Sequence, residues 1–171
     1  MSLPVRLAPC SRAHAPEILA LFNHAILHTT ALYEYEPRTS EFMEGWFDAK
    51  ERGGWPVIGA FDESGALLGF STCGPFRPQP GFAATAEHSV YVRGDQQGRG
   101  LGKLLLRAIV DAARTRGLHV LMGVIDAENA ASVALHRAEG FEHAGTWRQV
   151  GFKFGRRLDV VVYQRILAGA A

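Results

Sequence analysis

The chain has 171 residues, close to half of them apolar, enough for a single domain with a real core. Its 18 Lys and Arg against 17 Asp and Glu leave a net charge of +1, so it lacks the positive excess of a nucleic-acid binder. No apolar run approaches the roughly 20 residues of a membrane helix, Met1 to Arg6 lacks the apolar stretch of a signal peptide, and a cytoplasmic location with no membrane partner is expected.

Leu3 to Leu7 reads as a short first strand, broken by Pro9 and Ser11. From about His14 to His28, Ile18, Leu21, Phe22 and Ala25 fall on one side of an amphipathic helix. Thr39 and Ser40 offer capping oxygens to a second helix that carries Phe42, Met43, Trp46 and Phe47 and stops at Gly53-Gly54. Val57 to Phe61 and Leu67 to Cys73 flank the turn Asp62-Glu63-Ser64-Gly65 and form a hairpin. Pro75, Pro78 and Pro80 then enforce an irregular loop to Phe82, of the kind that often carries function.

A central strand, Glu87 to Val92, leads into Gln97-Gly98-Arg99-Gly100-Leu101-Gly102-Lys103 and a helix whose Leu101, Leu104, Leu105, Ala108, Ile109 and Ala112 form an apolar stripe. Val120 to Ile125 is the next strand, Asp126 to Asn129 opens a shorter helix that Gly140 ends, and Phe141 to Arg148 with Arg157 to Ile166 close the sheet. The order βαα, βββ, αβ, αββ places the chain in the α/β (α+β) class. It suits a mixed, mostly antiparallel sheet with helices on both faces, built as one domain over residues 1–171.

The glycine-rich passage is the most informative. Three glycines let a backbone approach a bound group closely, and the free N–H groups of the helix that begins there, with the positive end of its dipole, favour phosphate oxygens. The dinucleotide pattern G-x-G-x-x-G is not met, because Gly98, Gly100 and Gly102 follow G-x-G-x-G. A P-loop is excluded as well. Leu104 follows Lys103 and leaves no hydroxyl for magnesium, and Gln97 stands where the first P-loop glycine belongs.

What remains is Q-x-x-G-x-G, which resembles the pyrophosphate signature of the GNAT superfamily of acetyl-CoA-dependent N-acetyltransferases. Further runs narrow the resemblance: Glu87-His88-Ser89-Val90-Tyr91-Val92, Asn129-Ala130-Ala131-Ser132-Val133-Ala134-Leu135-His136-Arg137, Gly140-Phe141 and Val150 to Arg156. With His24, Thr29 to Ala31, Arg77-Pro78 and Gly81-Phe82, these are similar to the phosphinothricin and methionine sulfoximine N-acetyltransferases over nearly the whole chain.

That resemblance implies a GNAT fold and acetyl-CoA as donor. Its pantetheine would bond to backbone at Val90, Tyr91 and Val92, and its pyrophosphate would lie on Gly98, Arg99, Gly100, Leu101, Gly102 and Lys103. Asn129 can bond the pantetheine arm or cap a helix, or do both. The acceptor implied is the α-amine of a small amino acid of the phosphinothricin, methionine sulfoximine or methionine sulfone type. Alternatives are another amine (a protein N-terminus, a lysine or a polyamine) or a catalytically silent acetyl-CoA sensor.

An amine with pKa near 10 must lose a proton before it attacks a thioester. Glu87, at the head of the central strand, is the leading base, and partial burial would raise its pKa into a useful range. His88 is the alternative, although neighbours on a strand point opposite ways. His136, where many GNAT members place tyrosine, can protonate the departing thiolate. The backbone N–H of Val92 can serve the oxyanion. Cys10 and Cys73 lie outside the motif regions and in no metal-ligand spacing, so neither a covalent enzyme intermediate nor a metal is expected.

For the acceptor, Arg77 offers a two-pronged guanidinium, with Tyr33, Phe76, Pro78, Phe82 and Ser89 completing the pocket beside Glu87 and His88. The chain departs from the methionine sulfoximine type at Tyr33 and Glu34, where tryptophan and asparagine are usual, at Gln79, where an aromatic is usual, and at Arg157, which replaces a tryptophan. The resemblance also implies a homodimer, for which Val150 to Gly155 could line the contact or could simply turn between strands.

Overall fold

The computed structural model describes residues 5–167. Strand β1 (Arg6–Pro9) starts later than expected, Leu3 lies outside the described residues, and Pro9 belongs to the strand. β1 is the edge of the sheet, where a proline nitrogen without a hydrogen interrupts no ladder. There follow α1 (Ala15–His28), α2 (Ser40–Gly53), β2 (Val57–Phe61), β3 (Leu67–Pro75), β4 (Thr85–Val92), α3 (Leu101–Thr115), β5 (Val120–Asp126), α4 (Ala130–Ala138), β6 (Glu142–Lys153) and β7 (Arg156–Ile166).

Seven strands form one sheet in the order β1-β2-β3-β4-β5-β7-β6. All neighbours are antiparallel except β4 and β5, which run parallel because α3 carries the chain from one to the other. On one face α1 and α2 bury Ile18, Phe22, Met43 and Phe47 against Phe61 and Phe70. On the other, α3 buries Leu106 and Ile109 against Ala86 and Leu121, and Leu105 against Ala60 and Leu68. Each such side chain contributes about 1.5–3 kcal/mol, so the two helical layers hold β4 firmly from both sides.

The buried stripe of α3 is Leu101, Leu105, Leu106, Ile109, Val110 and Ala113. It is rotated from the expected one, and Leu104, counted as core, is exposed. Apolar residues occupy more than half the helix circumference here, so spacing alone left the centre of the arc open.

β6 also differs from expectation, running on past Arg148 to Lys153. Its register with β7 shifts between Trp147 and Gly151, and Gln149 adopts φ 54 within that bulge. A bulge breaks the period-2 pattern, so the pattern ends at Arg148 while the strand continues. Val150 to Lys153 is therefore strand, and Phe154-Gly155 is a two-residue turn with both φ positive.

Candidate functional site

β4 and β5 are paired only at Thr85, Ala86 and Glu87, against Val120, Leu121 and Met122. Beyond that point both strands continue, to Val92 and Asp126, without pairing with each other. The open edge can be assigned atom by atom. The Arg93 N–H donates to Leu68 O and the Phe76 N–H to Thr85 O, so odd-numbered residues of β4 face β3. The N–H and C=O groups of His88, Val90 and Val92 therefore point into the gap. The Tyr91 backbone does not, because it faces β3, which corrects the expectation for that residue.

The gap opens into a groove of about 460 Å³ lined by β4 from His88 to Val92, the glycine loop, and Asn129, Ser132 and His136. Gly98, Gly100, Leu101, Gly102 and Lys103 all lie on its wall. Gly100 is the N-cap of α3 and sits at φ 82, and a Cβ there would meet no atom within 4 Å. Left-handed backbone and clear space together leave the first amides of α3 accessible. Asn129 holds both expected positions, since its Oδ1 accepts from the Ser132 N–H at 3.1 Å as a helix cap while the residue lines the groove.

The neighbouring charges divide. Lys103 reaches the groove, with its ammonium 3.5 Å from the buried Glu139. Arg99 is absent from the groove wall and donates to Gln96 Oε1 at 2.5 Å. The structure thus gives a main-chain cradle with one lysine at its side.

Residues 20–141 match the Acetyltransferase (GNAT) family. This chain belongs to that family. An L-methionine sulfoximine/L-methionine sulfone acetyltransferase of Pseudomonas paraeruginosa is 48% identical over 152 residues, covering 89% of this chain and 88% of that protein. A ribosomal-protein-alanine N-acetyltransferase of Brucella melitensis superposes with TM-score 0.92 at 42% identity, covering 95% and 99%. A phosphinothricin acetyltransferase of Sinorhizobium meliloti, solved in complex with acetyl-CoA, superposes with TM-score 0.92 at 32% identity, covering 98% and 89%.

As a GNAT acetyltransferase the chain uses acetyl-CoA, and the groove fits that donor. The unpaired β4 amides can bind an amide-bearing arm, and the glycine cradle with Lys103 can bind a diphosphate.

The acetyltransferase has a second cavity on the other side of β4, of about 260 Å³. Glu87 lines this one and not the groove, while Ser89 and Tyr91 line both. Strand alternation is the cause: Glu87, Ser89 and Tyr91 point to the α1 and α2 face, with Gly74, Thr72 and Phe70 opposite them on β3. Burial raises the Glu87 carboxyl above its ordinary value, with Arg77 opposing the shift.

His88 and His136 are both buried, with their Nε2 atoms 2.9 Å apart. The Ser132 carbonyl, 2.7 Å from His136 Nδ1, can only accept, so the proton on His136 is at Nδ1. Its Nε2 then accepts from His88 Nε2–H, and His88 Nδ1 has no partner among the described residues. Burial pushes both rings below the ordinary histidine value, and for His88 the neighbouring His136 pushes further. Burial thus favours the neutral form of both rings. In this arrangement His136 Nδ1 is engaged with the Ser132 carbonyl and its Nε2 with His88.

Of the expected acceptor residues, Glu87 and Ser89 line the second cavity and His88 lines the groove, while Tyr33, Phe76, Arg77, Pro78 and Phe82 fall outside both linings. Arg77 lies over the Phe76 ring at 5.2 Å, and Phe76 meets Phe82 edge-on at 5.7 Å, an exposed rim that also holds Pro78. Tyr33 is turned away, with its hydroxyl donating to Asp126 Oδ2 at 2.7 Å. Lys153 holds the segment there by donating to the carbonyls of Thr29 and Leu32, and Gly151, which has no side chain, leaves room for the ring.

The cavity is formed instead by Phe22, Leu32, Arg38, Trp46, Lys50, Thr72 and Gly74. Phe22 and Trp46 were legible only as core. Lys50 had a signal, a charge on the same helical face as Met43, Trp46 and Phe47. Cys73 also borders the cavity, and burial pushes its thiol up to about 11, so it stays protonated.

Proposed function

We propose that this acetyltransferase acts on the α-amine of a small amino acid of the methionine sulfoximine, methionine sulfone or phosphinothricin type. One observation carries the reading: two cavities meet across β4, a main-chain groove for the donor and a small ionisable cavity holding Glu87. About 260 Å³ accommodates an amino acid and little more. The names of the relatives supply the same acceptor class.

Bound acetyl-CoA supplies the activated acetyl thioester. Glu87 accepts the proton of the acceptor ammonium, directly or through water, because its raised pKa brings a carboxylate closer to that task. The Val92 N–H, on the open edge of β4, is placed to donate to a developing oxyanion. His88 and His136 wall the groove as a neutral pair. Arg77 supplies positive charge near Glu87, with Phe76, Pro78 and Phe82 about it, and Tyr33 is held to Asp126.

A second reading, transfer to a protein N-terminal alanine, is favoured by the Brucella structure at 42% identity. Release of free thiol from acetyl-CoA decides between them. L-methionine sulfone, L-methionine sulfoximine and phosphinothricin should each release thiol, and an alanine-terminated peptide should not. Turnover of the peptide alone overturns the first reading.

We also place residues 1–171 in one domain and the protein in the cytoplasm as a homodimer. No helix among the described residues is long and apolar enough to cross a membrane. Trp147, Val150, Phe152 and Phe154 are exposed on and just beyond the edge strand β6, an apolar surface suited to a second copy. A mass by light scattering of one chain alone would remove the dimer.

A further inference from the structure

The acceptor cavity contains a cation with no assigned role. Lys50 lies in the last turn of α2 and is only partly exposed. Its Nζ donates to the Cys73 carbonyl at 2.7 Å and lies 5.3 Å from the Trp46 ring centre. Among the described residues it enters no ion pair with a carboxylate. Burial accordingly lowers its ammonium to about 8.

Gly74 shows why the ammonium can sit there. It stands directly opposite Glu87 in the β3–β4 register, and a Cβ on it would lie 3.4 Å from Lys50 Nζ. The missing side chain thus leaves Lys50 beside the position across from Glu87, on the same face of the sheet. Arg38, the other cation in the cavity wall, is already engaged: Glu34 pairs with it, and the rings of Phe22 and Phe42 flank its guanidinium at 4.2 and 4.5 Å. Lys50 is therefore the cation whose charge is uncommitted.

An α-amino acid carries its ammonium and its carboxylate on one carbon. The Glu87 carboxylate and an unpaired ammonium from α2, held beside the residue that pairs with Glu87, match that arrangement, and a charge-assisted hydrogen bond to a half-buried ammonium is among the stronger polar contacts. We propose that Lys50 binds the α-carboxylate of the acceptor while Glu87 faces its α-amine, so that Lys50 selects α-amino acids over simple amines. This inference rests on the acceptor class proposed above. Arg77 is then left for the distal polar group.

The test compares L-methionine sulfone with its carboxamide, which keeps the α-amine and removes the negative charge. Thiol release is measured for the full chain as wild type, Lys50→Met and Lys50→Arg, with acetyl-CoA affinity and melting temperature recorded for each. Wild type should prefer the acid by at least about tenfold in kcat/KM, the scale on which a site built for a polar group rejects an analogue lacking it.

Lys50→Met should lose about 10–100-fold on the acid, mainly through KM, as expected when one partner of a buried charge pair is removed. Its activity on the amide and its affinity for acetyl-CoA should hold, and Lys50→Arg should recover most of the preference. If Lys50→Met melts far below wild type, Lys50→Gln, which can keep the hydrogen bond to Cys73, takes its place. Equal losses on acid and amide, or an unchanged KM for the acid, would overturn the proposal. Failure of the wild type on both compounds, with acetyl-CoA still bound, would remove the acceptor reading itself and the carboxylate subsite with it.

Discussion

The two sides of β4 offer different means of recognition. On the groove side the groups on offer are main-chain: amides freed where β4 parts from β5, and the first turn of α3 behind a left-handed glycine. On the cavity side they are side chains from α1 and the loop after it, α2, β3 and β4, brought together only by folding. A main-chain site persists as long as the fold does, whereas a side-chain site can be rewritten by single substitutions. A donor common to the family and an acceptor that varies within it are suited to those two constructions.

Removing the Glu87 carboxylate is the strongest way to separate the two sides. Glu87→Gln should lower kcat by about 10²–10⁴-fold, the range of a general base, and leave acetyl-CoA affinity unchanged because Glu87 is absent from the groove. The pH dependence follows from the sign of the shift. A base must be deprotonated and burial raises this carboxyl, so the acid limb of kcat/KM should lie above the ordinary glutamate value of 4.5. Arg77 opposes that shift, so Arg77→Gln should move the limb further up. A limb that stays put in Glu87→Gln would assign the base elsewhere.

The converse substitution acts on the groove alone. Gly100→Val forces a β-branched residue into φ 82, at a cost of about 1–2 kcal/mol, and puts bulk beside the first amides of α3. Acetyl-CoA should bind roughly tenfold more weakly, with kcat at saturating donor within a few-fold of wild type. An unchanged dissociation constant would mean that the glycine loop does not hold the donor.

This asymmetry also explains how much the sequence disclosed. The groove was legible because its determinants are local: Gly98, Gly100 and Gly102 are contiguous with the helix they open, and Glu87 to Val92 immediately precede them. The order of elements and the mixed sheet followed from periodicity for the same reason. The second cavity was legible only at Glu87 and Ser89, because Lys50, Gly74 and Glu87 are separated by 24 and 13 positions and are brought near one another by strand register. Tyr33 was misplaced because its orientation is set by Gly151 and Asp126, distant residues whose effect no local pattern records. Tyr91 illustrates a finer limit, since which edge its backbone faces depends on the pairing of β3 and not on its own identity.

The His88–His136 pair gives the smallest effect and tests whether the groove wall is a fixed structure or a titrating one. Both rings have folded-state pKa values below the ordinary 6.5, so between those values the unfolded chain binds more protons than the folded one. Their contribution to stability is therefore complete above pH 6.5 and is lost as the pH falls below it, by up to about 1.4 kcal/mol per pH unit for each proton taken up on unfolding. His88→Gln retains an amide N–H for His136 Nε2 and deletes one titration. Its denaturant-unfolding free energy should decline less steeply than that of wild type between pH 6.5 and 5, by up to about one proton's slope. Identical slopes would mean that His88 takes up its proton in the folded state, and the neutral pair would have to be abandoned in favour of a charged one able to donate into the groove.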